Sequence, residues 1–161
     1  MPEISATLNE LSDMLVECDL FRNFDYADIS SAAHYFSFIE IEEDGIIFQE
    51  GDLGAFMCIV NSGKVSVLKS NQDFEKVEIA TLQAGRTFGE MAVLDGERRS
   101  ATCVAATDCN LLTLSKDSLD RMLLDIPATA AKVVRAVAIS LSRRLRMADG
   151  KLVDRRGNSS Y

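Results

Sequence analysis

Apolar positions in the first thirty-five residues recur at helical spacing. Leu8, Leu11 and Leu15 predict an amphipathic helix, with Ser5 or Thr7 placed to cap its start. A second helix is predicted over about Tyr26–Tyr35, where Ile29, Ala32 and Ala33 share a face. From Phe36 the period shortens to two. Phe36-Ser37-Phe38 and Ile39-Glu40-Ile41 alternate, and further strands are predicted at Ile46–Gln49, Phe56–Val60, Val65–Lys69, Lys76–Leu82, Ala101–Ala105 and Leu111–Leu114. Gly51-Asp52-Leu53-Gly54, Asn61-Ser62-Gly63, Asn71-Gln72-Asp73, Ala84-Gly85 and Thr107-Asp108 separate them. Many short strands at intervals of about ten residues predict a sandwich, barrel or jelly roll. Strands do not alternate with helices, which argues against a doubly wound or α/β-barrel layout.

Helix resumes after Ser115, an N-cap candidate with acidic Asp117 in the first turn, and runs to about Leu124. Pro127 opens a long helix expected to reach Asp149 and to stop at Gly150, leaving a frayed tail from Arg155 to Tyr161. Val134, Ala138, Leu141, Leu145, Ala148 and Leu152 follow a 4-3 spacing along it. That seam suits either packing on the chain's own roll or a parallel homodimer through the C-terminal helix. The chain thus divides into N-terminal helices (1–35), a β core (36–114), C-terminal helices (115–150) and a tail (151–161).

Charge sharpens this division. The 161 residues carry a net charge of −8. Residues 127–161 hold eight Lys/Arg against two Asp/Glu, net +6, so residues 1–126 carry −14. Such a balance argues against nucleic-acid binding through overall charge. No apolar run approaches the roughly 20 residues of a membrane span. Met1-Pro2-Glu3-Ile4-Ser5 lacks the basic and apolar regions of a secretory signal, so a cytoplasmic protein is expected.

The residues offer little for catalysis or metal binding. Cys18, Cys58, Cys103 and Cys109 form no C-x-x-C pair, and the single histidine, His34, cannot complete a zinc set with them. Reduced, buried thiols are expected. If Ala106 pairs with Cys109 across the Thr107-Asp108 turn, Cys103 falls opposite Leu112 and no disulfide is set up. Nucleophile-elbow, P-loop and zinc-protease motifs do not occur. A cupin-like metal enzyme would need a histidine cluster. No enzyme activity and no cofactor are expected.

One segment carries binding chemistry: Gly85-Arg86-Thr87-Phe88-Gly89-Glu90-Met91-Ala92-Val93-Leu94-Asp95-Gly96-Glu97-Arg98-Arg99-Ser100-Ala101-Thr102. A short helix beginning at Gly89 would expose backbone N–H groups to an anion. Arg99 and Ser100 offer a charged donor and a hydroxyl, and Glu90 an acceptor for sugar hydroxyls. Together they suit a phosphate attached to a ribose; a solvated surface turn is the alternative.

Phe88-Gly89-Glu90-Met91-Ala92-Val93-Leu94, a spacer and Arg99-Ser100-Ala101-Thr102 resemble the phosphate-binding cassette (88–102) of the cyclic nucleotide-binding domain family. The resemblance extends upstream through Ile46–Asp52, Gly54 and Ile59–Val65, and covers roughly residues 20–150. It implies an eight-stranded jelly roll (double-stranded β-helix) with N-terminal helices and a long C-terminal helix, the nucleotide lying between cassette and last helix. By the same resemblance, Glu90 matches the acceptor for the ribose 2′-hydroxyl, Arg99 the partner of the cyclic phosphate and Ser100 a further phosphate donor. Gly89, Met91, Ala92 and Ala101 match the backbone-lined wall. Screening limits exposed charges to about 8 Å at physiological salt. An arginine about 4 Å from a phosphate contributes roughly 4 kcal/mol at an effective dielectric near 20, before desolvation. The local pair should outweigh the acidic body.

Ser142–Asp149 resembles the long-helix segment of the bacterial catabolite activator type, and a parallel dimer through the seam, as in those activators, would place Arg144 and Asp149 near the nucleotide of either subunit. Ala148 and Asp149 replace two hydroxyl residues that contact the base there. Asp149 can accept from the adenine amino group, and matches both N–H groups of a guanine edge better, whereas Ser100 in place of the family's threonine leans away from guanine; the expected ligand is cAMP ahead of cGMP. Only about a dozen residues follow Gly150, too few for a helix-turn-helix domain; a stand-alone receptor and a piece of a longer protein both fit. The contrasting expectation is a jelly-roll interaction module, or a regulator's effector domain, that no longer responds to nucleotide. Either acts on a downstream protein the sequence does not name.

Overall fold

The computed structural model describes the backbone of residues 3–158 and the side chains of residues 3–150. The chain opens with a two-residue strand, β1 (Glu3–Ile4), rather than with helix: Glu3 and Ile4 pair with Ile39 and Phe38. Helix α1 (Leu8–Val16) follows, started by a capping box in which Thr7 Oγ1 accepts from Glu10 N and Glu10 Oε2 accepts from Thr7 N. A single 3-10 turn (Asp19–Phe21) leads to α2 (Tyr26–Ala33), capped by Asp25 and ended by exposed His34.

Among the described residues nine strands follow the jelly-roll pattern, close to the eight expected. They are β1, β2 (Ser37–Ile41), β3 (Ile46–Phe48), β4 (Phe56–Ser62), β5 (Val65–Ser70), β6 (Lys76–Leu82), β7 (Thr87–Phe88), β8 (Thr102–Ala105) and β9 (Cys109–Ser115). They form a five-stranded sheet, β1-β2-β9-β4-β7, and a four-stranded sheet, β3-β8-β5-β6. All pairings are antiparallel. The cassette helix α3 (Glu90–Asp95) lies between β7 and β8; α4 (Lys116–Asp125), capped by Ser115, and α5 (Pro127–Asn158) complete the chain.

Strand parity explains why the five-stranded sheet is buried on both faces. In β4, Met57 and Ile59 join the helical core, whereas Cys58 and Val60 face the interior between the sheets. In β9, Leu112 and Leu114 point to the helices and Leu111 to the roll interior. The helical core is closed by Leu11 and Leu15 of α1, Ile29 of α2 and Ala130, Val133 and Val137 of α5. The roll thus carries its helices on one sheet only. The other sheet ends at β6, whose residues are exposed from Lys76 to Thr81.

Two expectations need correction. The Thr107-Asp108 turn does not close a hairpin, because β8 and β9 belong to different sheets. Cys103 pairs in register with Phe48 and Val67, and Leu112 with Phe38 and Ile59. The chain crosses from one sheet to the other at this turn, which is how a jelly roll closes. All four cysteines are free and buried. Secondly, Gly150 does not stop α5, which continues to Asn158. A glycine costs a helix only about 1 kcal/mol relative to alanine, and helix-compatible residues flank it on both sides. The predicted tail is therefore helical through Asn158; residues 159–161 lie outside the described chain.

Candidate functional site

The cassette is fixed by its neighbours before any side chain is considered. Gly51 N donates to Arg99 O at 2.9 Å, Arg99 N to Asp52 O at 2.7 Å and Gly54 N to Glu97 O at 3.0 Å. Arg98 Nη1 adds a bond to Gly51 O at 2.8 Å. The β3–β4 turn and the entry to β8 are thereby zipped together. Gly54 packs so closely that a Cβ there would stand 2.1 Å from the Cβ of Ala92.

Gly89 ends β7 and caps α3 with φ +72°, in the left-handed region. A Cβ at this position would stand 2.6 Å from Arg99 Nη1. Glycine is needed here both for the backbone conformation and for the arginine's approach. Glu90 follows as the first residue of α3 and is only 1% exposed. Its Oε1 lies 2.5 Å from Arg144 Nη2 of α5 as an ion pair, outside hydrogen-bond geometry. Its Oε2 is buried without a hydrogen-bond partner. Arg144 Nη2 also donates to Thr87 O at 2.6 Å, so one guanidinium joins the last helix to β7 and to the cassette.

Arg99 is 6% exposed. Nη1 donates to Gly89 O at 3.0 Å and Nη2 to Phe56 O at 2.5 Å. The guanidinium stacks 3.8 Å from the Phe48 ring centroid and 4.8 Å from that of Phe56, while Nε is buried and unpartnered. Desolvation holds its pKa below the usual arginine value, opposed by the neighbouring thiols Cys58 and Cys103. Burial in turn pushes both thiols up, Cys103 to about 12.

The structure therefore brings Gly89, Glu90, Ala92, Arg99 and Arg144 together, with Ala92 buried beneath the cassette helix. Met91 and Ser100 are exposed and Ala101 is half-buried. Ser100 O accepts from Lys69 Nζ at 2.8 Å. Asp149 is exposed on α5 and makes no hydrogen bond or ion pair among the described residues. The sequence reading missed the aromatic cradle of Phe48 and Phe56. Strand parity was the available signal for Phe56, which shares the inward face of β4 with Cys58 and Val60, whereas an irregularity in β3 between Ile46 and Phe48 breaks the alternation that would have placed Phe48.

Among the described residues, no cluster of His, Cys, Asp or Glu could hold a metal ion, and no helix is long and apolar enough to cross a membrane. The family model described as "Cyclic nucleotide-binding domain" matches residues 38–125. The Cyclic AMP receptor protein of Thermus thermophilus is 34% identical over 133 residues, covering 83% of this chain and 60% of that protein. The mouse Cyclic nucleotide-gated channel beta-3 is 37% identical over 101 residues, covering 61% of this chain and 14% of the channel. This chain therefore spans less than two thirds of the length of either relative. A crystallised cyclic nucleotide-binding domain from Methylobacillus flagellatus superposes with a TM-score of 0.80 at 27% identity, covering 92% of this chain and 83% of the other. The matched span runs from β2 to the end of α4 and contains the whole cassette: this chain belongs to the cyclic nucleotide-binding domain family.

Proposed function

We propose that the chain is a receptor module for a purine cyclic nucleotide, cAMP ahead of cGMP, that carries out no chemical step of its own. The observation that carries this reading is Glu90: a 1%-exposed carboxyl with an unpartnered oxygen at the left-handed turn of Gly89. An orphaned buried acceptor is costly unless something donates to it, and a ribose 2′-hydroxyl is such a donor. Arg99 takes the cyclic phosphate, exchanging its bond to Phe56 O for the ligand, with Ser100 as a second donor. Gly89, Met91, Ala92 and Ala101 form the wall, Arg144 approaches from α5 of the same chain, and Asp149, about 140° further round that helix, reaches a nucleotide only across the dimer seam. The Thermus relative is named as a receptor for cyclic AMP, which supports the order of the two ligands.

Titration calorimetry with cAMP, cGMP and non-cyclic AMP tests the proposal. Saturable binding of a cyclic nucleotide but not of AMP is expected, and Arg99→Ala should cost about 2–5 kcal/mol of binding free energy. No saturable binding of either cyclic nucleotide to folded protein overturns it.

A second reading has one observation in its favour. The Arg99 Nη atoms are committed to carbonyls of the protein itself, and Arg144 sits on Glu90. Such a self-satisfied site suits an interaction module that ignores nucleotides. Its thermal midpoint would not respond to them, whereas a ligand at 100 times its Kd adds about 2.7 kcal/mol.

Readout in the receptor reading passes through α5 to a downstream protein in the cytoplasm, with a homodimer along the seam. Val134 and Leu141 lie partly buried against the chain's own core, while Ala138, Leu145 and Ala148 are exposed; the side chain of Leu152 lies outside those described. The outer half of the seam is thus the part free to pair, and Leu145→Arg should shift sedimentation toward monomer.

A further inference from the structure

Beside Arg144, a cavity of about 760 Å³ opens between the 3-10 turn, the start of α2, the turn before β7 and the middle of α5. Six basic side chains line it, Arg22, Arg86, Lys132, Arg135, Arg143 and Arg144, against three acids, Asp19, Asp25 and Asp28. In a protein of net charge −8 this is a local reversal of sign.

The three acids are already engaged. Asp19 pairs with Arg22 at 3.0 Å, and Asp28 with Lys132 and Thr129. Asp25 caps α2 by accepting from Asp28 N. Arg144 is committed to Glu90 and Thr87. That leaves Arg86, Arg135 and Arg143 around one cavity, with no carboxylate within ion-pair distance among the described residues.

The walls are held rather than loose. Asp19 N donates to Gly85 O at 3.0 Å, Gly85 N to Val60 O at 2.7 Å and Val60 N to Arg86 O at 2.9 Å, fixing the turn that bears Arg86. The Asp28–Lys132 pair fixes α2 to α5 on the opposite side. Leu20, Phe24 and Ala136 give the cavity an apolar floor, and the exposed Ile139 and Met147 stand at its rim.

The seam does not compete for this surface. At about 100° per residue, the cavity-lining positions 132, 135, 136, 139, 140, 143, 144 and 147 spread over about half of the α5 surface and centre on the side opposite 134, 138, 141, 145 and 148. A dimer along the seam leaves the cavity open.

We propose that this cavity is a second ligand site, distinct from the cassette, that takes a small polyanion with an apolar part, of the class of a nucleoside polyphosphate. Arg86, Arg135 and Arg143 bind the phosphates, and Phe24, Ile139 and Met147 receive the apolar part. The volume falls within the range of about 300–1,000 Å³ typical of small-molecule sites. Arginine's planar fork suits phosphate oxygens in pairs. An acidic peptide is the other polyanion the charge would admit, but the concave apolar floor favours a compact ligand.

The test is calorimetry of the whole chain with ATP, inorganic tripolyphosphate and a glutamate-rich peptide, run with and without saturating cAMP. ATP should bind saturably in both conditions, more tightly than tripolyphosphate, and the affinity should fall as salt rises. Arg135→Glu with Arg143→Glu should weaken ATP by about tenfold or more while leaving the melting temperature and the cAMP isotherm unchanged. The proposal fails if ATP shows no saturable binding up to about 1 mM, if cAMP displaces it, if the peptide binds more tightly than ATP, or if charge reversal leaves ATP binding intact. Because the readout is ATP and the substitutions avoid the cassette, failure to bind cyclic nucleotide is a separate result.

Discussion

Arg144 Nη2 stands 2.5 Å from Glu90 Oε1, joining a half-exposed cation on the last helix to a carboxyl buried at the start of the cassette helix. Removing one partner of a fully buried pair costs about 3–5 kcal/mol. The Arg144 side chain is 42% exposed, so solvent already shares in its stabilisation, and about 1–2 kcal/mol is expected for Arg144→Ala. Combining it with Glu90→Gln should recover part of that loss. Urea denaturation of the four members of the cycle measures the coupling. Additive losses would show that the pair contributes nothing.

Two glycines predict opposite outcomes for the same substitution. Gly89→Ala forces a side chain into a left-handed backbone and against Arg99 Nη1, so a loss of about 1 kcal/mol or more is expected together with weaker cyclic nucleotide binding. Gly150 lies inside α5 with open space around its Cβ position. Gly150→Ala should stabilise the helix by up to about 1 kcal/mol. Thermal melts of both variants check the contrast, and a neutral Gly89→Ala would contradict the geometry described for the cassette.

The thiols should be silent in the folded protein. All four are buried, and burial pushes Cys18 and Cys103 up to about 12. Since the thiolate is the reactive form, a disulfide reagent at about pH 8 should label almost no thiol in buffer and all four cysteines in denaturant. Prompt labelling of even one native thiol would show that the core around it opens readily.

Acid should loosen the joint between α2 and α5. The hydrogen bond from Lys132 holds the Asp28 carboxyl below its ordinary value, helped by Thr129. A lowered folded pKa means the contribution is present above the unfolded value of about 3.9 and is lost as pH falls through the folded one. Lys132 is raised, chiefly by the same bond, so its share is present below the ordinary lysine value and lost only as pH rises through the raised one. Asp28→Asn should flatten the dependence of stability on pH below about 4, as measured by denaturant titrations. An unchanged slope would remove Asp28 from the account.

Period and punctuation made most of the fold legible. Alternation and turn residues located seven of the nine strands described, and Ser115 and one of two cap candidates, Thr7 rather than Ser5, marked the helix starts that the structure shows. β1 and β7 were hidden because two residues are too few for any period, and each pairs with a strand about thirty positions away. The β8–β9 crossing was misread because a short turn between strands looks the same whether the strands pair or part. Gly150 was read as a stop because a local signal was given more weight than the helix-compatible residues around it. In the site, the cassette spacing pointed to Glu90 and Arg99, but not to the rings of Phe48 and Phe56 that hold Arg99. Those contacts join segments far apart in sequence, and only the closed roll sets them side by side.

The length of α5 gives the Arg144–Glu90 contact a mechanical reach. Thirty-two helical residues extend about 48 Å. Among the side chains described, the fully buried anchor residues of α5 end at Val137, with Arg144 about 10 Å beyond it and Asn158 about 30 Å beyond it. Pivoting at that anchor, the helix is a lever with a gain of about three. A shift of about 1 Å where Arg144 meets Glu90 becomes about 3 Å at the far end, large enough to realign a coiled seam while the roll beneath it stays still.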